Sequence, residues 1–105
     1  MKLTIGNSVR KKSMLVGNEE FPKILASIGA SNTSDSLDIE INKAQIAKKY
    51  GADIIIDHTL LPTYNEIHKR LLDSIDVPVS TIAVYDRAAD VLYGDNKPYF
   101  TGQDV

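Results

Sequence analysis

Three short clusters of polar residues follow the predicted strands, at the position where parallel α/β proteins place their binding and catalytic groups. Asp57 and His58 supply a carboxylate and an imidazole, which can transfer protons or, with Asp86 from the next cluster, ligate a metal. Adjacent strand residues point to opposite faces, so we do not expect Asp57 and His58 to hold the same ion. We expect a structural role for His58, and Asp57 can equally cap the loop that follows it. The full clusters are Ser27, Gly29, Ser31 and Asn32; Asp57, His58 and Thr59; and Tyr85, Asp86 and Arg87.

Other polar features carry weaker signals. The loop of residues 29–34 joins a predicted strand to a predicted helix, where free amides suit a phosphate. It lacks both the dinucleotide-binding glycine pattern and the lysine of a phosphate-binding loop, so an ordinary capped loop is favoured. His68 lies between apolar positions of a predicted helix, and we expect it to face solvent without a function. The basic run of residues 10–12 is interpreted as solvated surface.

Composition limits the class of protein. The chain has 105 residues, 43% of them apolar, and its 12 basic and 14 acidic side chains give a net charge of -2. These values predict one globular domain without a nucleic-acid partner. The absence of cysteine excludes disulfides, thiol nucleophiles and any iron–sulfur cluster held by this chain alone. No signal peptide or membrane-spanning run is evident, so we expect a cytoplasmic protein without a membrane partner.

Apolar runs of strand length alternate with segments of helical spacing, which predicts parallel βα units. The predicted strands are residues 24–28, 53–57 and 79–84, and helices are expected at about residues 36–50, after Pro62, and at about residues 87–93. Thr63 and Glu66 have the spacing of a capping box at the start of the second helix. Residues 1–20 are predicted to form a hairpin or flap, and residues 21–105 three βα units that end within a unit.

The three strand ends carry a recognisable pattern. Residues 23–31 read KILASIGAS, residues 51–57 read GADIIID, and residues 77–85 read VPVSTIAVY. The chain resembles the phosphomethylpyrimidine synthase family, in which a K-(I/V)-N-A-N-I-G strand, a G-A-D before a strand ending in M-D, and a V-P-(I/V)-G-T-V-P-I-Y segment follow one another. The match runs without a gap from about residue 23 to residue 90. The resemblance implies an α/β fold, a partial (β/α)8 barrel of about three parallel βα units after the hairpin.

The family makes the thiamine pyrimidine from aminoimidazole ribonucleotide by radical chemistry, and the resemblance therefore implies a small nucleotide as ligand. The family's substrate-contacting Asn, Met and Tyr fall on Ser27, Ile56 and Tyr85. Barrel geometry gathers strand ends on one face, so we expect Asp57 to join these three in a substrate pocket with His58 and Arg87 at its rim. The family binds S-adenosylmethionine and a [4Fe–4S] cluster through a later C-x-x-C-x-x-x-x-C segment, and an additional metal through later histidines. This chain holds neither segment, so we assign it no catalytic residue, no metal ligand and no cofactor of its own.

Two functions remain open at this point. The chain is either the substrate-pocket part of a diverged enzyme of this family, completed by a missing C-terminal portion of the barrel, or a non-enzymatic module that self-associates and binds a small phosphorylated metabolite. Three consecutive isoleucines, residues 54–56, require cover on both faces of their strand. The chain has few helices to provide that cover, so we expect a homo-oligomer.

Overall fold

The computed structural model describes residues 1–10, 12–18, 20–30 and 37–94. The chain opens with an antiparallel hairpin of β1 (Lys2–Asn7) and β2 (Lys12–Gly17), in which Leu3 pairs with Val16. The next elements, in chain order, are β3 (Leu25–Ile28), α1 (Leu37–Lys49), β4 (Ile54–Asp57), α2 (Tyr64–Ser74), β5 (Val79–Thr81), α3 (Ala83–Ala89) and a π-helical turn (Asp90–Gly94). Of the first polar cluster, Ser31 and Asn32 lie outside the described residues.

Strands β3, β4 and β5 form a parallel sheet in that order, which confirms the prediction of consecutive parallel βα units. Ala26, Ile55 and Val79 are paired across the sheet and face the two long helices. Helix α1 contributes Ile41 and Ala44 to this core, and α2 contributes the apolar stripe that its spacing predicted: Ile67 and Leu71, with Ile75 just after its end. Both long helices therefore cover the same face of the sheet.

The third strand is shorter than predicted, and the helix after it starts earlier. Strand β4 ends at Asp57, whose register partner in β5 is Thr81, so residues beyond Thr81 find no backbone partner on β4. The chain turns instead into α3, and the Tyr85 amide donates to the Ile82 carbonyl at 2.9 Å in its first turn. Tyr85 consequently lies in a helix and not at the end of a strand.

The predicted capping box is also wrong in its side-chain bonds. Helix α2 begins at Tyr64, and Thr63 occupies its N-cap position without making a side-chain capping hydrogen bond. Among the described helices, none combines the length and the apolar character needed to cross a bilayer.

The Asn7 side chain attaches the hairpin to the rest of the fold through buried hydrogen bonds. Asn7 is 2% exposed, and its amide nitrogen donates to the carbonyls of Leu72 at 3.2 Å, Ile75 at 2.9 Å and Val77 at 3.1 Å. Its oxygen accepts from two backbone amides of the hairpin turn, both at 3.0 Å. Asn7 thereby satisfies carbonyls at the end of α2 that have no partner within the helix.

Candidate functional site

The carboxyl ends of the strands present different chemistry on the two faces of the sheet. Ser27, Ile56 and Ser80 form one row of register partners, and Ile28, Asp57 and Thr81 form the next row. Because side chains alternate along a strand, the second row shares the face of Ile55 that the helices cover. Ser27, Ile56 and Ser80 lie on the opposite face, where Ser27 and Ser80 are exposed and Ile56 is half-buried. Two of the predicted substrate residues, Ser27 and Ile56, are thus neighbours on the less covered face.

Asp57 occupies the helical side and organises the loop after β4. Its side chain is buried, and its Oδ1 accepts hydrogen bonds from the Thr59 amide at 3.0 Å and the Thr59 hydroxyl at 2.5 Å. The Thr59 hydroxyl oxygen in turn accepts from the Ala30 amide at 3.2 Å, which ties the loop to the end of β3. The loop-capping interpretation of Asp57 is therefore confirmed. Its carboxylate points away from the face of Ser27 and Ile56, in contrast to the expected common pocket.

The second oxygen of Asp57 meets a histidine that sequence reasoning set aside. His68 Nε2 lies 3.0 Å from Asp57 Oδ2 and 3.8 Å from Asp86 Oδ1, and its side chain is 15% exposed. The Asp57 contact has the distance of an ion pair without the alignment of a full hydrogen bond. The expectation that His68 faces solvent is wrong, because α2 packs with this side chain toward the end of β4.

The electrostatics of this cluster follow from its burial and charge. The close contact with the Asp57 carboxylate raises the pKa of His68 above its ordinary value, burial opposes that effect, and Asp86 adds to it. Burial raises the pKa of Asp86, the nearby carboxylates of Asp57 and Asp90 raise it further, and His68 lowers it. The geometry therefore favours an imidazolium between two carboxylates.

Tyr85 and His58 form the second part of the site. Their rings pack edge to face, with centroids 5.6 Å apart and planes inclined by 66°. The His58 amide donates to the Ile28 carbonyl at 2.8 Å, which extends the ladder between β3 and β4 by one bond. Tyr85 remains 39% exposed, so its ring is supported on one side and accessible on another. The expected structural role of His58 agrees with this placement beside the tyrosine.

Gly29 permits the two strand ends to approach each other. A Cβ atom at this position would lie 2.9 Å from the carbonyl carbon of His58 and 3.1 Å from its oxygen. Such distances to backbone atoms leave no room for a side chain. The glycine that ends the first motif therefore sets the distance between the loops after β3 and β4.

The remaining rim residue, Arg87, lies on α3 with its Nη1 3.7 Å from Asp90 Oδ2. The Tyr64 hydroxyl lies 3.3 Å from both oxygens of Asp90, which links α2 to the end of α3. Burial raises the pKa of Tyr64, and Asp90 raises it further. Within the described ranges, no group of three or more His, Asp or Glu side chains has the arrangement of a metal site.

The structure is a mixed α/β fold with a parallel sheet whose strand ends carry polar side chains on an accessible face. The model of the Radical SAM ThiC family matches residues 3–103, and the chain belongs to this family.

Curated relatives agree with that assignment. Phosphomethylpyrimidine synthase of Thermococcus kodakarensis is 38% identical over 81 residues, which are 77% of this chain and 19% of that protein. The enzyme of Pyrococcus abyssi is 36% identical over the same shares. Phosphomethylpyrimidine synthase 2 of Methanothermobacter thermautotrophicus is 29% identical over 96 residues, 90% of this chain and 23% of that protein. The chain thus spans about a fifth of the length of these relatives.

The family's radical chemistry implies an iron–sulfur cluster, which proteins hold through cysteine thiolates. The sequence contains no cysteine, and its donor set does not fit a cluster. No reaction step is therefore assigned to the residues described above.

Proposed function

We propose that this chain provides one wall of the substrate site of a phosphomethylpyrimidine-synthase-like enzyme and that the wall binds aminoimidazole ribonucleotide. The observation that carries the proposal is the pairing of Ser27 with Ile56 on the less covered face of the sheet, at the carboxyl ends of β3 and β4. Both positions correspond to substrate-contacting residues of the family, and Tyr85 keeps the family's tyrosine. The radical chemistry and its cofactors come from elsewhere in the complete enzyme.

Each residue has a distinct role in this wall. Ile56 offers an apolar surface to a heterocycle, and the Ser27 hydroxyl can donate to or accept from it. The Tyr85 ring packs on the sugar, and its hydroxyl hydrogen-bonds a ribose or phosphate oxygen. Asp57 acts from the other face by fixing the loop through Thr59, and Arg87 at the rim provides positive charge for the phosphate.

The same placement supports a barrel. Strands β3 and β5 are the outer strands of the three-stranded sheet within the described residues, and each has an edge that a further parallel strand can extend. We propose that these are early strands of a (β/α)8 barrel whose interior is the face of Ser27 and Ile56. A C-terminal portion of the barrel would then cover that face.

Calorimetric titration with aminoimidazole ribonucleotide tests the proposal. The Tyr85→Phe variant should bind about fivefold more weakly than wild type, since it loses one hydrogen bond worth about 1 kcal/mol. Tyr50→Phe is the matched control, because Tyr50 is 80% exposed at the end of α1. Saturable binding that weakens only in Tyr85→Phe supports the wall. No heat from wild type at millimolar ligand, or equal effects of the two variants, contradicts it.

A second candidate is a non-enzymatic module that self-associates and binds a small phosphorylated metabolite. It is favoured by apolar exposure at the edge strand: Ile24 is 59% exposed and Leu25 52% exposed. A second copy would remove these side chains from water. Light scattering should then show a dimer or larger species that Leu25→Lys converts to monomer. A wild-type monomer that unfolds cooperatively contradicts self-association.

A further inference from the structure

The helical side of the sheet carries a polar cluster that substrate binding does not itself require. Asp57 comes from β4, His68 from α2 and Asp86 from α3, so three elements meet at one imidazole. Asp57 is 1% exposed, and the His68 side chain is 15% exposed. A largely buried imidazole beside two carboxylates is costly to maintain unless the charges compensate one another.

We propose that His68 is a positioning residue: by linking Asp57 to Asp86 it fixes the first turn of α3 and with it the orientation of Tyr85. This inference deepens the proposed function and rests on it for the meaning of Tyr85. Asp86 directly follows Tyr85 in the chain, and the amides of both residues donate to the Ile82 carbonyl, at 2.9 Å and 3.2 Å. A contact that holds Asp86 therefore also holds Tyr85.

The surrounding charges determine how this link depends on pH. The imidazole faces Asp57 from β4, Asp86 from α3, and the ring of Tyr64 one turn earlier on α2, 5.6 Å between centroids. Arg87 and Asp90 act on the neighbouring Tyr64. The link is complete while His68 is protonated and Asp86 is ionised. It weakens as pH rises through the raised pKa of His68, and again at low pH, where Asp86 takes up a proton above its ordinary pKa.

The chain contains two histidines, so an NMR titration can follow each imidazole separately. In wild type, the ring resonances of Tyr85 should shift with the same midpoint as His68, and that midpoint should lie above the ordinary histidine value of about 6.5. Tyr50, which is 80% exposed at the end of α1, is the control resonance. Because His58 contacts Tyr85, the titration is repeated in His58→Gln, where the coupling to His68 must persist.

Two variants of His68 separate charge from shape. His68→Gln should remove the His68-dependent shift of the Tyr85 ring resonances. His68→Arg, with its permanent charge, should hold Tyr85 in the linked state on both sides of the His68 midpoint. The inference is overturned if the Tyr85 resonances shift with a midpoint different from that of His68. It is also overturned if the same shift is still seen in His68→Gln. If a variant does not fold, the titrations of wild type and His58→Gln still decide.

Ligand binding distinguishes this inference from the function on which it rests. In wild type, the affinity for aminoimidazole ribonucleotide should fall about fivefold as pH rises through the His68 midpoint, and in His68→Arg it should remain constant. Binding whose pH dependence is the same in both proteins contradicts the positioning role and leaves the substrate wall intact. If no binding is seen while the Tyr85 ring resonances still shift at the His68 midpoint, the substrate wall is contradicted and the coupling stands.

Discussion

Replacement of Asn7 by alanine should cost far more stability than a typical hairpin substitution. The side chain reaches five backbone groups, and its contacts to the Ile75 and Val77 carbonyls are buried. Each buried acceptor left without a donor costs about 1.5 kcal/mol, so the two together give about 3 kcal/mol. The other three groups are partly accessible and regain hydrogen bonds to water. With a urea dependence of about 1.5 kcal/mol per M, the midpoint of unfolding should fall by about 2 M.

Urea unfolding followed by circular dichroism measures this change, with Ser8→Ala as the control. Ser8 is exposed in the same turn, and its replacement should stay within about 0.5 kcal/mol of wild type. Asn7→Asp keeps the oxygen that accepts the turn amides but places a carboxylate against the three carbonyls. It should be at least as destabilised as Asn7→Ala. An Asn7→Ala protein within about 0.5 kcal/mol of wild type would refute the assignment of Asn7 as the attachment of the hairpin.

Three further predictions concern other contacts. Gly29→Ala should lower the free energy of unfolding by about 1–3 kcal/mol in the same assay, because the added Cβ would press on the His58 backbone. An unchanged free energy would mean that the ends of β3 and β4 can move apart without cost. Lys48 and Lys12 lower the pKa of Asp76. The ionised Asp76 carboxylate therefore stabilises the fold at pH values above its ordinary pKa, and that stability is lost as pH falls through the lowered pKa. The urea midpoint of wild type should therefore fall more between about pH 5 and about pH 3 than the midpoint of Asp76→Asn. An equal fall in both proteins would mean that other groups cause the loss of stability in acid. Tyr64→Phe should cost about 1 kcal/mol through loss of the Asp90 contact, and Asp90→Asn should lose less, since a neutral oxygen still accepts the hydroxyl proton.

Local periodicity was sufficient to predict the parallel strands and the two long helices. The apolar stripe of α2 and the β-branched run of β4 need little tertiary information, because each pattern matches its element's own repeat. The end of β5 is different. The β-branched residues Thr81, Ile82 and Val84 favour a strand, but the strand ends where its partner β4 ends at Asp57. Cross-strand pairing, and not intrinsic preference, determined that boundary.

The part of the candidate site that lies on the strands could be predicted from the sequence. The part that depends on how α2 packs on the helical face of the sheet could not. Ser27 and Ile56 were assigned through the family resemblance, and the register of β3 and β4 makes them neighbours. His68 was missed because its partner Asp57 is brought to it by packing of α2 on the sheet. A signal was nevertheless present: His68 lies four residues after Tyr64 and three before Leu71, on the flank of the buried stripe. Asn7 had no comparable signal, since its acceptors lie 65 to 70 residues further along the chain.

That separation has a consequence for the order of events during synthesis. A ribosome adds roughly 5–20 residues per second, so several seconds pass between the emergence of Asn7 and that of the carbonyls it binds. The hairpin closes through local contacts and can form within microseconds, long before its docking surface exists. During this interval the nascent chain carries a two-stranded ribbon in which Ile5 and Met14, half-buried in the folded protein, lie in water. Docking of β1 therefore follows the synthesis of α2 and β5, although β1 itself is made before them.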